Sequence, residues 1–266
     1  MRGRGPERLD LSERDRAVLT ALSDHRLLTA GQVERLFFSG NHISPVATRR
    51  RCQAVLHRLA DQQFLERLHR RQGGHRAGST GFTYRLTTRG QRAIGIDRRG
   101  NRYEPSDHWT AHTLACAEVS VRLRDAERVT ELRSMTITHE PETWRRYVGH
   151  HGGIEILKPD LLVELVTLGG WQLRWFVEVD RATEHLPTVI RKCHQYQAYW
   201  RSGREDHPVF PRVLWSVPDE ARASSIQAAI GRTPSLEPEL FRTATTEQTV
   251  SVLLTNNINE LKGGEP

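Results

Sequence analysis

Lysine is almost missing from this chain: Lys158, Lys192 and Lys262 are the only three in 266 residues, so arginine carries nearly all of the positive charge. Cysteine is as scarce. Cys52, Cys116 and Cys193 are odd in number and widely spaced, which argues against a disulfide framework. No apolar run approaches the ~20 residues needed to cross a bilayer. The opening Met1-Arg2-Gly3-Arg4-Gly5-Pro6 has no apolar core of the kind a signal peptide carries. The expectation is therefore a cytoplasmic protein with no membrane partner. A hydrophobic fraction of 37% with 27% charged residues suits a soluble globular chain rather than a fibrous or disordered one.

What is present is unevenly placed. Residues 1–105 hold 21 arginines against 10 acidic residues, a net charge of +11, whereas residues 106–266 are net −4. Such asymmetry concentrates an anion-attracting field on the first part and leaves the second nearly neutral. The length accommodates two modest domains. Tyr103-Glu104-Pro105-Ser106-Asp107 reads as the linker, giving expected domains at 10–100 and 106–256.

The first part reads as three helices and a hairpin. Ser12 caps a helix carrying Val18, Leu19 and Leu22, and Thr29 caps a second over 29–38. Ser44-Pro45 opens a third that runs to about Gln63, since proline suits a first helical position. On this third helix Val46, Val55, Leu56 and Leu59 are expected to pack inward. Arg49, Arg50, Arg51, Gln53 and Arg58 then form a basic, polar exterior. Strands at 64–68 and 81–86 flank a tip rich in glycine and arginine that contains Arg70, Arg71 and Arg76, and Thr87 caps a short closing helix. This is the order of a winged helix-turn-helix. A helix about 10–12 Å across fits the major groove of double-stranded DNA. The wing arginines would then reach phosphates or the minor groove. Two-fold symmetry would double the contacted site, so a homodimer is a candidate state.

The second part reads as a helix over 108–125, a strand near 131–138, and a loop or irregular hairpin over 140–157. Two antiparallel strands follow, Lys158-Pro159-Asp160-Leu161-Leu162-Val163-Glu164 and Trp171 to Asp180, joined at Gly169-Gly170. Alternation puts Glu178 and Asp180 on one face and Val177 and Val179 on the other. Asp160 can lie beside Glu178 across the pair, so three carboxylates are candidates to hold Mg²⁺ or Mn²⁺. A helix over 183–202 with Thr183 as cap, a strand over 211–217, a helix over 219–230 and a strand near 239–245 complete an α-β-β-β-α-β order with additions.

This order, with Pro159-Asp160 and Glu178-Val179-Asp180, resembles the PD-(D/E)xK nuclease fold, a restriction-endonuclease-like α/β domain with a mixed sheet. The fold class expected is thus α+β with two domains. From about residue 10 to 255 the chain looks like the replication-relaxation family of plasmid and mobile-element proteins. The wing end Tyr84-Arg85-Leu86-Thr87-Thr88-Arg89-Gly90 and the Asp160, Glu178, Lys192 and Tyr196 set carry that resemblance. It implies a role in plasmid DNA replication, relaxation or transfer. Active nucleases of this fold commonly carry lysine where this chain has Asp180, and Lys192 is the candidate to replace it.

Three functions stay open. One is a non-catalytic DNA-binding accessory or regulatory factor with a degenerate nuclease-like domain. Another is a nuclease or nickase using Asp160 and Glu178 as metal ligands, Asp180 as a third ligand or base, and Lys192 as charge stabiliser. The last is an assembly factor that recruits a relaxase or replication protein. Plainer roles stand beside these. Glu178 and Asp180 can pair with Arg174 or Arg181 on an exposed strand, Lys192 can be solvated, and Tyr196, Tyr199 and Trp200 can be packing groups. His112 and Cys116, one helical turn apart, have zinc-like spacing but no second ligand pair.

Overall fold

The computed structural model describes residues 11–39, 44–68, 82–96, 106–149, 152–205, 207 and 209–255. In chain order the first elements are α1 (Glu13–His25), β1 (Leu28–Thr29), α2 (Ala30–Phe37), α3 (Pro45–Asp61), β2 (Leu65–Leu68), β3 (Thr83–Leu86), α4 (Thr88–Ala93) and α5 (Asp107–Glu127). The chain divides into two compact units, Met1–Val121 and Arg122–Pro266, with the division falling inside α5.

Helix starts in the first unit are fixed by their caps. Ser12 Oγ accepts from the Asp15 amide at 3.2 Å while Asp15 Oδ2 accepts from the Ser12 amide at 2.9 Å. Thr29 and Gln32 repeat this reciprocal arrangement on α2, and Ser44 caps α3 with Pro45 behind it. Each cap satisfies amides that have no partner within the helix itself. The strands form a three-stranded antiparallel sheet in the order β1-β3-β2. Val18, Leu19, Leu22, Val33, Leu56 and Leu59 are buried in one core.

Two details depart from expectation here. Val46 is 61% exposed, and Cys52 takes the inward place, with its thiol pushed up to about 12 by burial and by Glu34. The buried positions on α3 are Cys52, Leu56 and Leu59, spaced i, i+4, i+7, whereas ten residues separate Val46 from Leu56 and rotate it about 80° off that face. The two-residue β1 was also not anticipated. The tip with Arg70, Arg71 and Arg76 lies outside the described residues.

The close fit of α4 on β2 depends on a missing side chain. A Cβ at Gly90 would sit 2.2 Å from the Phe64 carbonyl oxygen. Thr87 Oγ1 donates to the Gln63 carbonyl at 2.6 Å, and the Thr87 amide donates to that of Phe64 at 3.1 Å. These bonds hold the helix start against the strand.

The second unit continues with β4 (Leu132–His139), β5 (Arg145–Val148), β6 (Ile154–Leu157), β7 (Leu161–Thr167), β8 (Gln172–Val179), α6 (Leu186–Arg201), β9 (Arg212–Val217), α7 (Glu220–Gly231), a 3-10 turn (Pro238–Leu240), β10 (Phe241–Thr245) and α8 (Thr249–Thr255). Five strands form a mixed sheet in the order β10-β9-β8-β7-β4. β4, β7 and β8 are antiparallel, while β8, β9 and β10 are parallel and are connected through α6 and α7. β8 is central and buried on both faces from Leu173 onward, as a parallel-paired strand should be. Leu162, Phe176, Val213 and Trp215 pack against Val189, Cys193 and Tyr196 of α6 and Ile226 of α7. The β7–β8 turn uses Gly170 at φ +85°, which glycine adopts without steric cost.

Of the loop or irregular hairpin expected over 140–157, the structure has paired strands, β5 antiparallel to β6 in an unbroken register from Arg145–Leu157 to Val148–Ile154. α6 begins three residues later than expected, with His185 in the cap position in place of Thr183. The reason is local. Ala182 has a left-handed φ of +57°, and its amide donates to Asp180 Oδ1 at 2.7 Å, so 181–184 close a loop before the helix begins. α8, beyond β10, was not foreseen.

Candidate functional site

Two sets of side chains are candidates for function, one in each unit. In the first unit, Arg49, Arg50, Arg51 and Gln53 are all exposed on α3, with Arg50 opposite the buried Cys52, Leu56 and Leu59, Arg51 and Gln53 on the flanks, and Arg49 in line with the buried stripe one turn before it. Arg49 lies 3.6 Å from Glu34, a solvent-exposed pairing of little energetic weight. Arg58 differs. Its guanidinium donates to Asp15 Oδ1 at 2.6 Å, and Asp15 is buried. Asp15 also completes the capping box of α1 with Ser12, so Arg58 ties α3 to the start of α1, a structural duty that the three exposed arginines at 49–51 do not have.

In the second unit the sheet and α6 enclose a polar cluster. Glu178 is 2% exposed on the face of β8 that α6 covers. Its Oε2 accepts from Lys192 Nζ and its Oε1 from the Tyr196 hydroxyl. Lys192 and Tyr196 are four residues apart, so one face of α6 supplies both donors. Burial pushes the Glu178 carboxyl up to about 8, an effect opposed by the Lys192 ammonium and reinforced by nearby Asp160. Burial works to lower the Lys192 ammonium, but the carboxylates of Glu178 and Asp160 outweigh it and leave it raised. Burial and Glu178 together raise the Tyr196 hydroxyl, which keeps it protonated as a donor.

Asp160 immediately precedes β7, and its Oδ2 accepts from the Val179 amide at 2.8 Å. The turn ahead of it is held by Thr143 Oγ1, which donates to the Pro159 carbonyl at 2.6 Å. Asp180 is engaged differently from Glu178. Oδ2 accepts from Arg222 Nε at 2.6 Å, Oδ1 accepts from the Ala182 amide, and Arg222 Nη2 reaches the Glu184 carbonyl at 2.7 Å. Glu178 and Asp180 are thus buried and paired with Lys192 and Arg222. Pairing with Arg174 or Arg181 on an exposed strand is not what occurs, because Arg174 bonds Glu164 at 2.7 Å and Glu205 at 3.1 Å. Lys192 is not solvated in isolation, and Tyr196 and Tyr199 are buried packing groups while Trp200 is exposed.

A divalent cation would require oxygen ligands free to turn toward it. Both oxygens of Glu178 and both of Asp180 already accept hydrogen bonds, so a divalent ion would have to displace donors to be held by these two carboxylates. Sequence reading found Asp160, Glu178, Lys192 and Tyr196. It missed Arg222 and Thr143, which lie 42 and 16 residues from their partners Asp180 and Pro159 and carry no local signal. His112 Nε2 and Cys116 Sγ are 3.5 Å apart on α5.

The family model described as replication-relaxation matches residues 19–213, most of the chain. The chain belongs to the replication-relaxation family. The match runs from α1 to the start of β9 and includes the arginines of α3 together with Asp160, Glu178, Asp180, Lys192 and Tyr196, while Arg222 lies beyond it. Membership ties this replication-relaxation protein to the replication or relaxation of plasmids and mobile elements. No curated protein and no solved structure matches it. Among the described residues no helix is long and apolar enough to cross a membrane.

Proposed function

We propose that this replication-relaxation protein is a double-stranded DNA-binding accessory factor. In this reading the first unit is a winged helix that docks α3 in the major groove, and the second is a nuclease-like domain of the PD-(D/E)xK type acting as a scaffold. The observation that carries the reading is the division of α3. Cys52, Leu56 and Leu59 are fully buried along one stripe, while Arg49, Arg50, Arg51 and Gln53 are all exposed and fan out around the N-terminal half of the helix, with Arg50 facing directly away from that stripe. Guanidinium groups at that spacing suit bidentate contacts to guanine edges and to phosphates. The three-helix order, the β1-β3-β2 sheet and the +11 charge of residues 1–105 support the same reading. The order α5-β4-β7-β8-α6-β9, with Asp160, Glu178 and Lys192 in place, supports the nuclease-like assignment. A homodimer on a two-fold symmetric site, and recruitment of a relaxase or replication protein, belong to this proposal.

Fluorescence anisotropy with duplex DNA tests it. Replacing Arg49, Arg50 and Arg51 together by Ala should weaken binding by at least about tenfold, with unfolding stability within roughly 0.5 kcal/mol of the parent, since the three groups are exposed. Unchanged affinity in a folded triple variant would refute the assignment of α3. Supercoiled plasmid incubated with Mg²⁺ or Mn²⁺ should remain intact with the parent, with Asp160→Ala and with Glu178→Ala. Nicking by the parent that both variants lose would replace the accessory reading with a nickase.

A further inference from the structure

The donor set around Glu178 disagrees with the metal that a nuclease-like fold implies, and the disagreement has a specific form. A carboxylate carried into a sheet–helix interface is costly unless a cation and hydrogen bonds compensate it. In a metal-dependent phosphodiesterase a divalent ion would fill that role. Here Lys192 Nζ is on one oxygen of Glu178 and the Tyr196 hydroxyl on the other, both from α6, and Asp160 adds a second carboxylate facing the same ammonium. Asp180, the remaining motif carboxylate, is neutralised separately by Arg222. Glu178 near the end of β8 and Asp180 just beyond it therefore each have their own internal cation.

We propose that the Lys192 ammonium is a resident substitute for a divalent cation at Glu178, and that removing it turns Asp160 and Glu178 into a cation site. The inference rests on the geometry of the second unit and stands apart from DNA binding by the first. An ammonium tethered on α6 cannot diffuse away, needs no chelatable ion, and forces an incoming Mg²⁺ to displace two hydrogen bonds while shedding water that it releases reluctantly. Trimming the side chain removes that competitor. It leaves Glu178 buried beside Asp160 with only Tyr196 as donor, an uncompensated pair of negative groups that a hard cation would relieve.

The test is the thermal midpoint of the full chain with EDTA, Mg²⁺ or Mn²⁺. The parent should melt at the same temperature in all three. Lys192→Ala should melt about 10 °C lower in EDTA, the loss expected from breaking a buried pair in a domain of this size. Mn²⁺ should restore part of that loss. The double variant Lys192→Ala/Glu178→Gln removes the stranded charge, so it should melt above Lys192→Ala in EDTA and lose the response to Mn²⁺. A Lys192→Ala protein that melts with the parent, or one that Mn²⁺ leaves unchanged, overturns the proposal. Should Lys192→Ala fail to fold, Mn²⁺ binding to the parent by electron paramagnetic resonance decides. Absence of bound Mn²⁺ upholds the proposal, and bound Mn²⁺ that Glu178→Gln abolishes overturns it.

Discussion

Asp180 joins the Arg222 guanidinium on α7 to the Ala182 amide in the loop before α6, a loop that Arg222 also grips through the Glu184 carbonyl. Replacing Arg222 by Ala strands a buried carboxylate and should cost about 3–5 kcal/mol in urea unfolding. Asp180→Asn in the same background should recover part of that loss, because the amide oxygen still accepts from Ala182. At this scale the sequence disclosed Glu178, Lys192 and Tyr196, because strand alternation and an i, i+4 helical step are local rules. Arg222 was invisible, since its approach to Asp180 depends on how α7 returns over the sheet.

Helix α3 shows how two arginines on one element can have different duties. Arg58→Ala removes the partner of buried Asp15 and should destabilise the protein by about 1–3 kcal/mol, a loss visible in urea unfolding without DNA present. The exposed arginines at 49–51 should show the reverse, with stability kept and affinity lost. The starts of α1, α2, α3 and α4 were readable directly, because Ser12, Thr29, Ser44 and Thr87 are each a hydroxyl with an amide to satisfy three residues on. The inward face of α3 was only half readable. Cys52 is small and was overlooked, and Val46 is apolar but lies at the wrong angle. The start of α6 was misjudged because Thr183 looks like a cap while the Asp180–Ala182 bond keeps the chain from entering the helix there.

Over the whole molecule, the division of charge between residues 1–105 and the remainder sets the salt response. The logarithm of DNA affinity should fall linearly with the logarithm of salt concentration. The Arg49, Arg50, Arg51 triple variant should show a slope shallower by up to roughly 2.7, about 0.9 for each phosphate contact removed. The succession of elements along the chain was legible in outline because β-rich segments alternate with helical ones. Which strands lie parallel was not, since that depends on crossovers rather than on residue pattern. Those crossovers carry one more implication. Lys192 rides on the helical span that links β8 to β9, so its grip on Glu178 can form only after that span has folded back across the sheet. The contact works as a seal: any partly assembled form lacking the span would leave the glutamate wet and titrating like a free one.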